Sequence, residues 1–474
     1  MPIILQNLNG IADSKFSGIK GSVAACVGLD LHSTPGLTQV QQKLTKESGA
    51  TVDEFVKVRV AASNGYTFWF SADSGKIWAR SSGGTWTLAL TTTAAAGEVK
   101  CLGAMEFNGF IYWATQSRLH RIAIANADDA WSGEALNWAT FAVTNASYHP
   151  MAIQDLTLFV GDGNQVASVN SAGTFNNNAL DIKTPLVIKT MIDFEIDLLI
   201  GTVVSTATTV NRTEIIRWDA VSSSWNTSDP IEEVGINAFI RDDNRTYVNA
   251  GRAGNIYLYD GEKLQPYKRV PGTYSSTAYG TVHPHASGNF KGVPVFGFSN
   301  GSGNPAPQGV YSLGSYSKDY PKILDLSFPI SERSAGALVT SGIEIGAIIV
   351  ADFTLLVSWK NGSAYGVDAI DYTAKLTLAY FETRMLFENK RDELKTLKEV
   401  AAFYNSLPAS TGFTFSYSVN GAAYVAMTSV TDSILAKVKA ALSVPKIGSL
   451  QLKVEFTVSS NNGPTMEALG VEVL

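Results

Sequence analysis

The sequence predicts an all-β protein: a β-propeller of six or seven blades over residues 51–379, an extended N-terminal arm before it (1–50) and a small β-sandwich after it (380–474). Three observations predict this. Helical periodicity is nearly absent between residues 50 and 380, where short β-branched and aromatic runs alternate with Gly, Asn, Ser and Asp. One strand-bearing phrase recurs, with anchors at Ile77, Leu119, Val166, Ile216, Ile256, Val310 and Tyr365 spaced 40 to 55 residues apart. Near the C-terminal end apolar and polar residues alternate singly, as in Phe413-Thr414-Phe415-Ser416-Tyr417.

The arm lacks the repeated phrase. Gly10, Gly18, Gly21, Gly28 and Thr34-Pro35-Gly36 suit an extended segment that lends a strand to the ring or lies on a neighbouring subunit. The first full unit is Tyr66-Thr67-Phe68-Trp69-Phe70, the turn Asp73-Ser74-Gly75, Ile77-Trp78-Ala79-Arg80, the turn Ser82-Gly83-Gly84, and Trp86-Thr87-Leu88-Ala89-Leu90. Strands joined by such tight turns make an antiparallel meander. Asn108-Gly109, Gly161-Asp162-Gly163-Asn164 and Asp260-Gly261 punctuate later copies. Units of roughly 40–50 residues with four short strands are the signature of a propeller. Each four-stranded sheet cannot bury both faces alone, and closing a ring packs sheet on sheet and shields the edges. A large β-sandwich or a β-helix is the competing architecture.

The character changes near Phe381. The charged stretch 386–400, with Leu394 and Leu397, reads as a short helix when taken alone. The alternating runs that follow, and the hairpin dipeptide Asn420-Gly421, predict the sandwich.

Composition excludes several classes. The 474 residues carry 36 Lys+Arg against 42 Asp+Glu, a net charge of −6, and the charged fraction is 16%, below the usual level of about 25%. A disordered chain and a charge-laced coiled coil are excluded. No apolar run approaches the roughly 18 residues of a membrane-spanning helix, and the acidic balance argues against a nucleic-acid groove. Cys26 and Cys101 are the only cysteines and form no C-x-x-C pair, so neither a disulfide framework nor a zinc site is expected. MPIILQNLNG shows no secretory signal, which leads to an expectation of reduced, cytoplasmic synthesis.

Catalytic templates are missing: there is no G-x-S-x-G, H-E-x-x-H, P-loop or dinucleotide fingerprint. His283-Pro284-His285 offers two imidazoles, but the intervening proline reads as an exposed loop, as does His149-Pro150. Asp242-Asp243-Asn244 lacks the glycine and distal Glu of a calcium loop and reads as a turn. Glu232-Glu233, or Asp193 with Glu195, are carboxylate pairs whose separation in space the sequence leaves open. Trp69, Trp78, Trp86, Trp113 and Trp218 fall in strands and are expected to pack between sheets; Trp131 or Trp138 is the candidate for exposure. No catalytic, cofactor or metal residue is expected.

Ser71-Ala72-Asp73-Ser74-Gly75-Lys76-Ile77-Trp78 fits S-x-D-x-G-x-x-W and resembles the Asp-box hairpin of sialidases and other propellers. The resemblance assigns Ser71, Asp73, Gly75 and Trp78 a structural role: Ser and Asp bond turn amides, Gly takes a strained backbone angle, and Trp packs beneath. A sialidase also needs three arginines, a Tyr–Glu pair and an acid Asp. Its Arg-Ile-Pro signature is absent, since Arg121-Ile122 precedes Ala123, and Arg217, Arg241, Arg245 and Arg252 are the arginines that adjacent blades would bring together.

Ile3-Ile4-Leu5-Gln6-Asn7-Leu8-Asn9-Gly10-Ile11, the glycine-dotted arm and Thr34-Pro35-Gly36-Leu37-Thr38 resemble virion proteins of tailed phages, in particular the tail nozzle (packaged-DNA stabilisation) proteins of short-tailed phages. Residues 397–403, Leu407-Pro408-Ala409, 450–456 and Gly463-Pro464-Thr465 are similar to the sandwich appended to many such proteins. The resemblance implies a non-enzymatic structural subunit of a virion, assembled in the host cytoplasm. Its partners would be copies of itself in a ring, six-fold by the nozzle analogy, and other virion proteins, with no membrane. DNA would pass non-specifically through a lumen whose mildly acidic wall does not hold phosphates. The alternative is a glycan-binding or sialidase-like tail protein.

Overall fold

The computed structural model describes residues 3–6, 8, 11, 22–92, 98, 100–204, 211–242, 245–275, 279–300, 308–315, 322–331, 342–351, 353–377, 379–386, 395–404, 406–427, 429–431 and 437–473. Gly10, Gly18, Gly21, Asp243, Asn244 and most of the charged stretch, 387–394, lie outside them. The chain divides into two compact units. One is Lys46–Ala306 with Thr340–Ala369; the other is Met1–Thr45, Pro307–Val339 and Ile370–Leu474. This differs from three consecutive domains divided at residues 50 and 380. The reason lies in strand pairing across large sequence separations, which sequence periodicity does not report.

The first unit is all-β and consistent with a multi-blade β-propeller. Five consecutive antiparallel meanders of four strands occupy 56–91, 103–140, 151–181, 186–231 and 236–269. The hairpin Gly280–Phe290 with Val293–Asn300 and the meander beginning Ile343–Ala351, Thr354–Asn361 follow. Ile77, Leu119, Val166, Ile216 and Ile256 all fall on the third strand of their meanders, and all are fully buried. The repeat is thus a repeat of strand position. Asn108 and Gly109 show why the turns recur: both take positive φ, 47° and 78°, in the two-residue link that sets Phe107 opposite Phe110.

The first strands of successive sheets adjoin one another: Val56–Ala61, Gly103–Phe107, Met151–Gln154, Leu186–Phe194, Ile236–Asp242, Gly280–Phe290, Ile343–Ala351, and back to Val56–Ala61. Ser358 Oγ closes that last junction, donating to the Val56 carbonyl at 2.8 Å while accepting from the Ala347 amide at 2.8 Å. Beside this last meander the Glu47 and Ser48 amides bond the Val367 carbonyl. Between sheets lies an apolar filling. Trp131 illustrates it: its ring stands edge-on to Phe68 at 5.1 Å and meets Trp113 at 5.4 Å.

In the second unit, Ile3–Gln6 pairs with Ala468–Val473, which pairs in turn with Lys395–Phe403 and then Lys437–Ile447. A second set of strands runs in the order Gly309–Gly314, Ile323–Phe328, Val23–Val27, Ala379–Thr383, Leu450–Thr457, Gly412–Val419, Val425–Ala426. The arm is therefore built into a sheet. Thr34-Pro35-Gly36-Leu37 makes the turn between the paired strands Leu29–Asp30 and Thr38–Val40, with the Leu37 amide on the Thr34 carbonyl at 3.1 Å and Gly36 at φ 79°. Among the described residues the one helical element is the 3-10 turn Ile124–Asn126. The part of the charged stretch that is described forms strand Lys395–Phe403, where a register shift between Leu397 and Glu399 buries both Leu397 and Val400. Their three-residue spacing imitates one face of a helix.

Candidate functional site

The first strands of the propeller unit alternate apolar residues packed outward with polar ones facing the space they surround. In Val56–Ala61 the buried residues are Val56, Val58 and Val60, and Lys57 and Arg59 point the other way. Lys189 and Asp193, Arg241, His283 and His285, and Glu344 hold equivalent places on their strands. Together they line three cavities, of about 580, 370 and 520 Å³.

The 580 Å³ chamber is bounded by Phe55, Lys57, Tyr148, Lys189, Tyr279, His283 and Glu344, among others. Lys57 Nζ lies 3.7 Å from Glu344 Oε2, and Lys360 Nζ lies 3.8 Å from Glu344 Oε1. Lys189 Nζ donates to Asn237 Oδ1 at 2.8 Å and stands 5.5 Å over the Tyr148 ring. Burial, helped by Arg252, brings its pKa down to about 8. The imidazole of His283 is held neutral, first by burial and then by His285, Lys57 and Lys189. Its Nδ1 is buried without a hydrogen-bond partner. Further along, Arg59 lines both other cavities. Its guanidinium donates to the carbonyls of Ile348 at 2.9 Å and Ser287 at 3.4 Å, and burial lowers its pKa. Burial, with Arg59, brings His285 down to about 3. Arg241 is paired with Asp193 at 2.7 Å.

His283 and His285 thus stand on a strand wall rather than in the exposed loop expected from Pro284. Among the described residues no group of three metal-ligating side chains occurs. His149 is buried, with Nδ1 2.7 Å from the Gly161 carbonyl, and stacks on Phe141. His120 contacts Thr115 Oγ1 through Nε2 and accepts the Asn137 amide at Nδ1; burial lowers its pKa to about 4.

The arginines considered for a carboxylate-binding triad have separate partners. Arg217 bonds Asp197 and lies over Phe194, Arg241 holds Asp193, and Arg252 lies over Tyr279. Glu233 accepts from Asn255 and Tyr257, and Glu195 is exposed and 3.8 Å from Arg217. Trp131 is buried rather than exposed, and Trp138 is half-buried beneath Arg121 at 4.3 Å.

The Asp-box residues sit at the turn between Thr67–Ser71 and Lys76–Arg80. Ser71 Oγ accepts from the amides of Asp73 (3.0 Å) and Ser74 (2.9 Å) and donates to Glu54 Oε2 at 2.6 Å. Ser74 Oγ donates to the same Glu54 oxygen at 2.6 Å. Asp73 is exposed, and Trp78 is fully buried. Gly75 is required by close approach instead of by a strained angle: a Cβ there would lie 1.9 Å from Thr92 Oγ1 and 2.7 Å from the Thr92 carbonyl oxygen. Glu54 was not legible as part of this turn, since it lies 17 residues before Ser71. The cations lining these cavities were equally hidden, although a charged residue at every second place of VKVRVA was a usable signal.

No protein-family model matches the chain, and no curated protein matches it. The fold is similar to solved structures. They include the extracellular domain of a hybrid two-component system from B. thetaiotaomicron (TM-score 0.49, 12% identity, 84% of this chain and 47% of that chain). Others are a streptogramin B lyase (TM-score 0.46, 10% identity, 69% and 97%) and a catalytically inactive virginiamycin B lyase from Staphylococcus aureus with quinupristin (TM-score 0.47, 10% identity, 70% and 99%). The chain spans about half the length of the first of these, at 47%. At such identities the likeness says nothing of activity.

Proposed function

We propose that the chain is a structural subunit of a phage virion, a tail nozzle or hub-type component that assembles into a homo-oligomeric ring and guides or retains DNA. In this reading the first unit is a seven-bladed propeller, one blade for each first strand around the channel, and the paired sheets of the second unit form the sandwich. The observation that carries it is the interlacing of the second unit: Ile3–Gln6 is zipped to Ala468–Val473, and Val23–Val27 is held between Ile323–Phe328 and Ala379–Thr383. A strand held on both edges by distant segments resists peeling, because the ladder must break as a whole. That suits a part that bears load without turnover. His120, His149, His283 and His285, buried as neutral groups, and the Asp-box spent on a turn agree with the same reading.

Mass photometry of the purified chain, with negative-stain microscopy, tests it: a closed ring of several copies is expected. A strict monomer that turns over a fluorogenic sialoside, with turnover lost on Arg59→Ala, would replace it with the sialidase-like alternative.

A further inference from the structure

The 580 Å³ chamber holds more positive charge than its own carboxylates balance. Lys57 and Lys360 share Glu344. Among the described residues no carboxylate pairs with Lys189; its polar partner is the neutral amide of Asn237, and burial lowers its pKa. Arg252, lying over the Tyr279 ring 5.8 Å from its centre, repels Lys189. A half-buried ammonium without a counter-ion is costly, and removing it in favour of an apolar group of similar size is favourable unless something else uses the charge. Two phenols, Tyr148 and Tyr279, face the same space, and His283 is part of its wall. They supply aromatic faces beside the cations.

We propose that this chamber is a binding site for a small organic oxyanion of about monosaccharide size, its phosphate or carboxylate held by Lys189 with Lys57 and its ring set against Tyr148 or Tyr279. The volume fits: ligand pockets run from about 300 Å³ upward. A phosphate or carboxylate completes the charge that Glu344 leaves short, and the phenol rings suit the apolar face of a sugar. The site is independent of any ring the chain forms.

The test is thermal unfolding of the full chain, together with isothermal titration calorimetry. The probes are inorganic phosphate, glucose 6-phosphate, glucuronate and N-acetylneuraminate, with glucose as the uncharged control. At least one charged probe at millimolar concentration is expected to raise Tm by several degrees, by mass action on the folded state, and glucose to leave it unchanged. The ranking of phosphate against carboxylate probes identifies the source of the anion. Lys189→Met is expected to weaken the best probe at least tenfold while raising the Tm of the ligand-free protein, and Lys189→Arg to keep most of the affinity. A merely structural lysine gives the opposite sign, a lower ligand-free Tm in Lys189→Met. That result, or a ligand shift equally large in Lys189→Met, or no shift with any charged probe, overturns the proposal. Should Lys189→Met fail to fold, Lys57→Met with the same calorimetry takes its place, and undiminished affinity there overturns it.

Discussion

Ser71 and Gly75 show how little of a motif's physics its letters reveal. Ser71 Oγ is the hub, serving two amides and Glu54 at once, while Asp73 faces solvent. Ser71→Ala is expected to cost about 1–3 kcal/mol, since it leaves turn amides without their acceptor, and Asp73→Ala less than about 0.5 kcal/mol. Gly75→Ala must push against a backbone carbonyl oxygen as well as a hydroxyl, so Thr92→Ala should not rescue it. All nine tryptophans lie within the propeller unit, so urea unfolding followed by tryptophan fluorescence reads these changes where they act. Equal losses for Ser71→Ala and Asp73→Ala would refute the assignment of the hub.

The buried His32 cluster in the second unit is the other residue-scale case. His32 Nε2 lies 2.7 Å from Asp325 Oδ1 and 2.8 Å from Ser312 Oγ, and Ser312 and Ser327 both donate to the Asp325 carboxylate at 2.6 Å. Burial pulls the His32 pKa down, but Asp325, aided by Asp30 and opposed by Lys322, leaves it above its ordinary value. Folding therefore favours the protonated form. This contribution is complete below the unfolded pKa of about 6.5 and fades as pH rises through the higher folded value. Hydrogen exchange of the Ile323–Phe328 amides, corrected for intrinsic rate, should report lower protection at pH 8.5 than at pH 5.5. His32→Asn should flatten that difference. A difference unchanged in His32→Asn would discard the linkage.

At the scale of elements, what was legible in the sequence was whatever local chemistry fixes. Turn dipeptides such as Asn108-Gly109 and the recurring third-strand anchors mark the meanders, because positive φ and a buried position in every unit leave a trace in the residues themselves. Pairing partners leave none. Nothing in Val23–Val27 says that its neighbours are Ile323–Phe328 and Ala379–Thr383, and a bulge in Lys395–Phe403 made a strand resemble a helix. The cavities failed to show for the same reason. Lys57, Lys189 and Glu344 are far apart in the chain and share a cavity only because the first strands run side by side. Trp131 is an instructive miss, placed in an insertion yet filling the seam between the first two sheets. Trp131→Ala should cost about 3–5 kcal/mol through the cavity it leaves, and Trp131→Phe much less. An effect below about 1 kcal/mol in the same unfolding experiment would mean that the seam closes without it.

For the molecule as a whole, the critical step is closing the ring in the propeller unit, which depends on a short segment. Glu47 and Ser48 bond the Val367 carbonyl, Ser48 Oγ accepts from the Val367 amide at 3.1 Å, and Glu47 clamps the buried Arg80 at 2.6 and 2.8 Å while accepting from Trp86. One carboxylate therefore ties the last meander to the first. Removing it strands a guanidinium that is almost wholly buried, which typically costs about 3–5 kcal/mol. Glu47→Ala should lower stability by that order and speed amide exchange in Thr354–Asn361 and Ala364–Lys375 by tenfold or more, because opening the seam frees the whole meander. Glu47→Gln keeps the acceptor for Trp86 and should recover part of the loss. The Ala379–Thr383 amides, which belong to the other unit, should exchange as before. If Glu47→Ala instead accelerates exchange uniformly over both units, or leaves the last meander as protected as in the parent chain, then closure does not hinge on this clamp and the packing of first strands must hold the ring by itself.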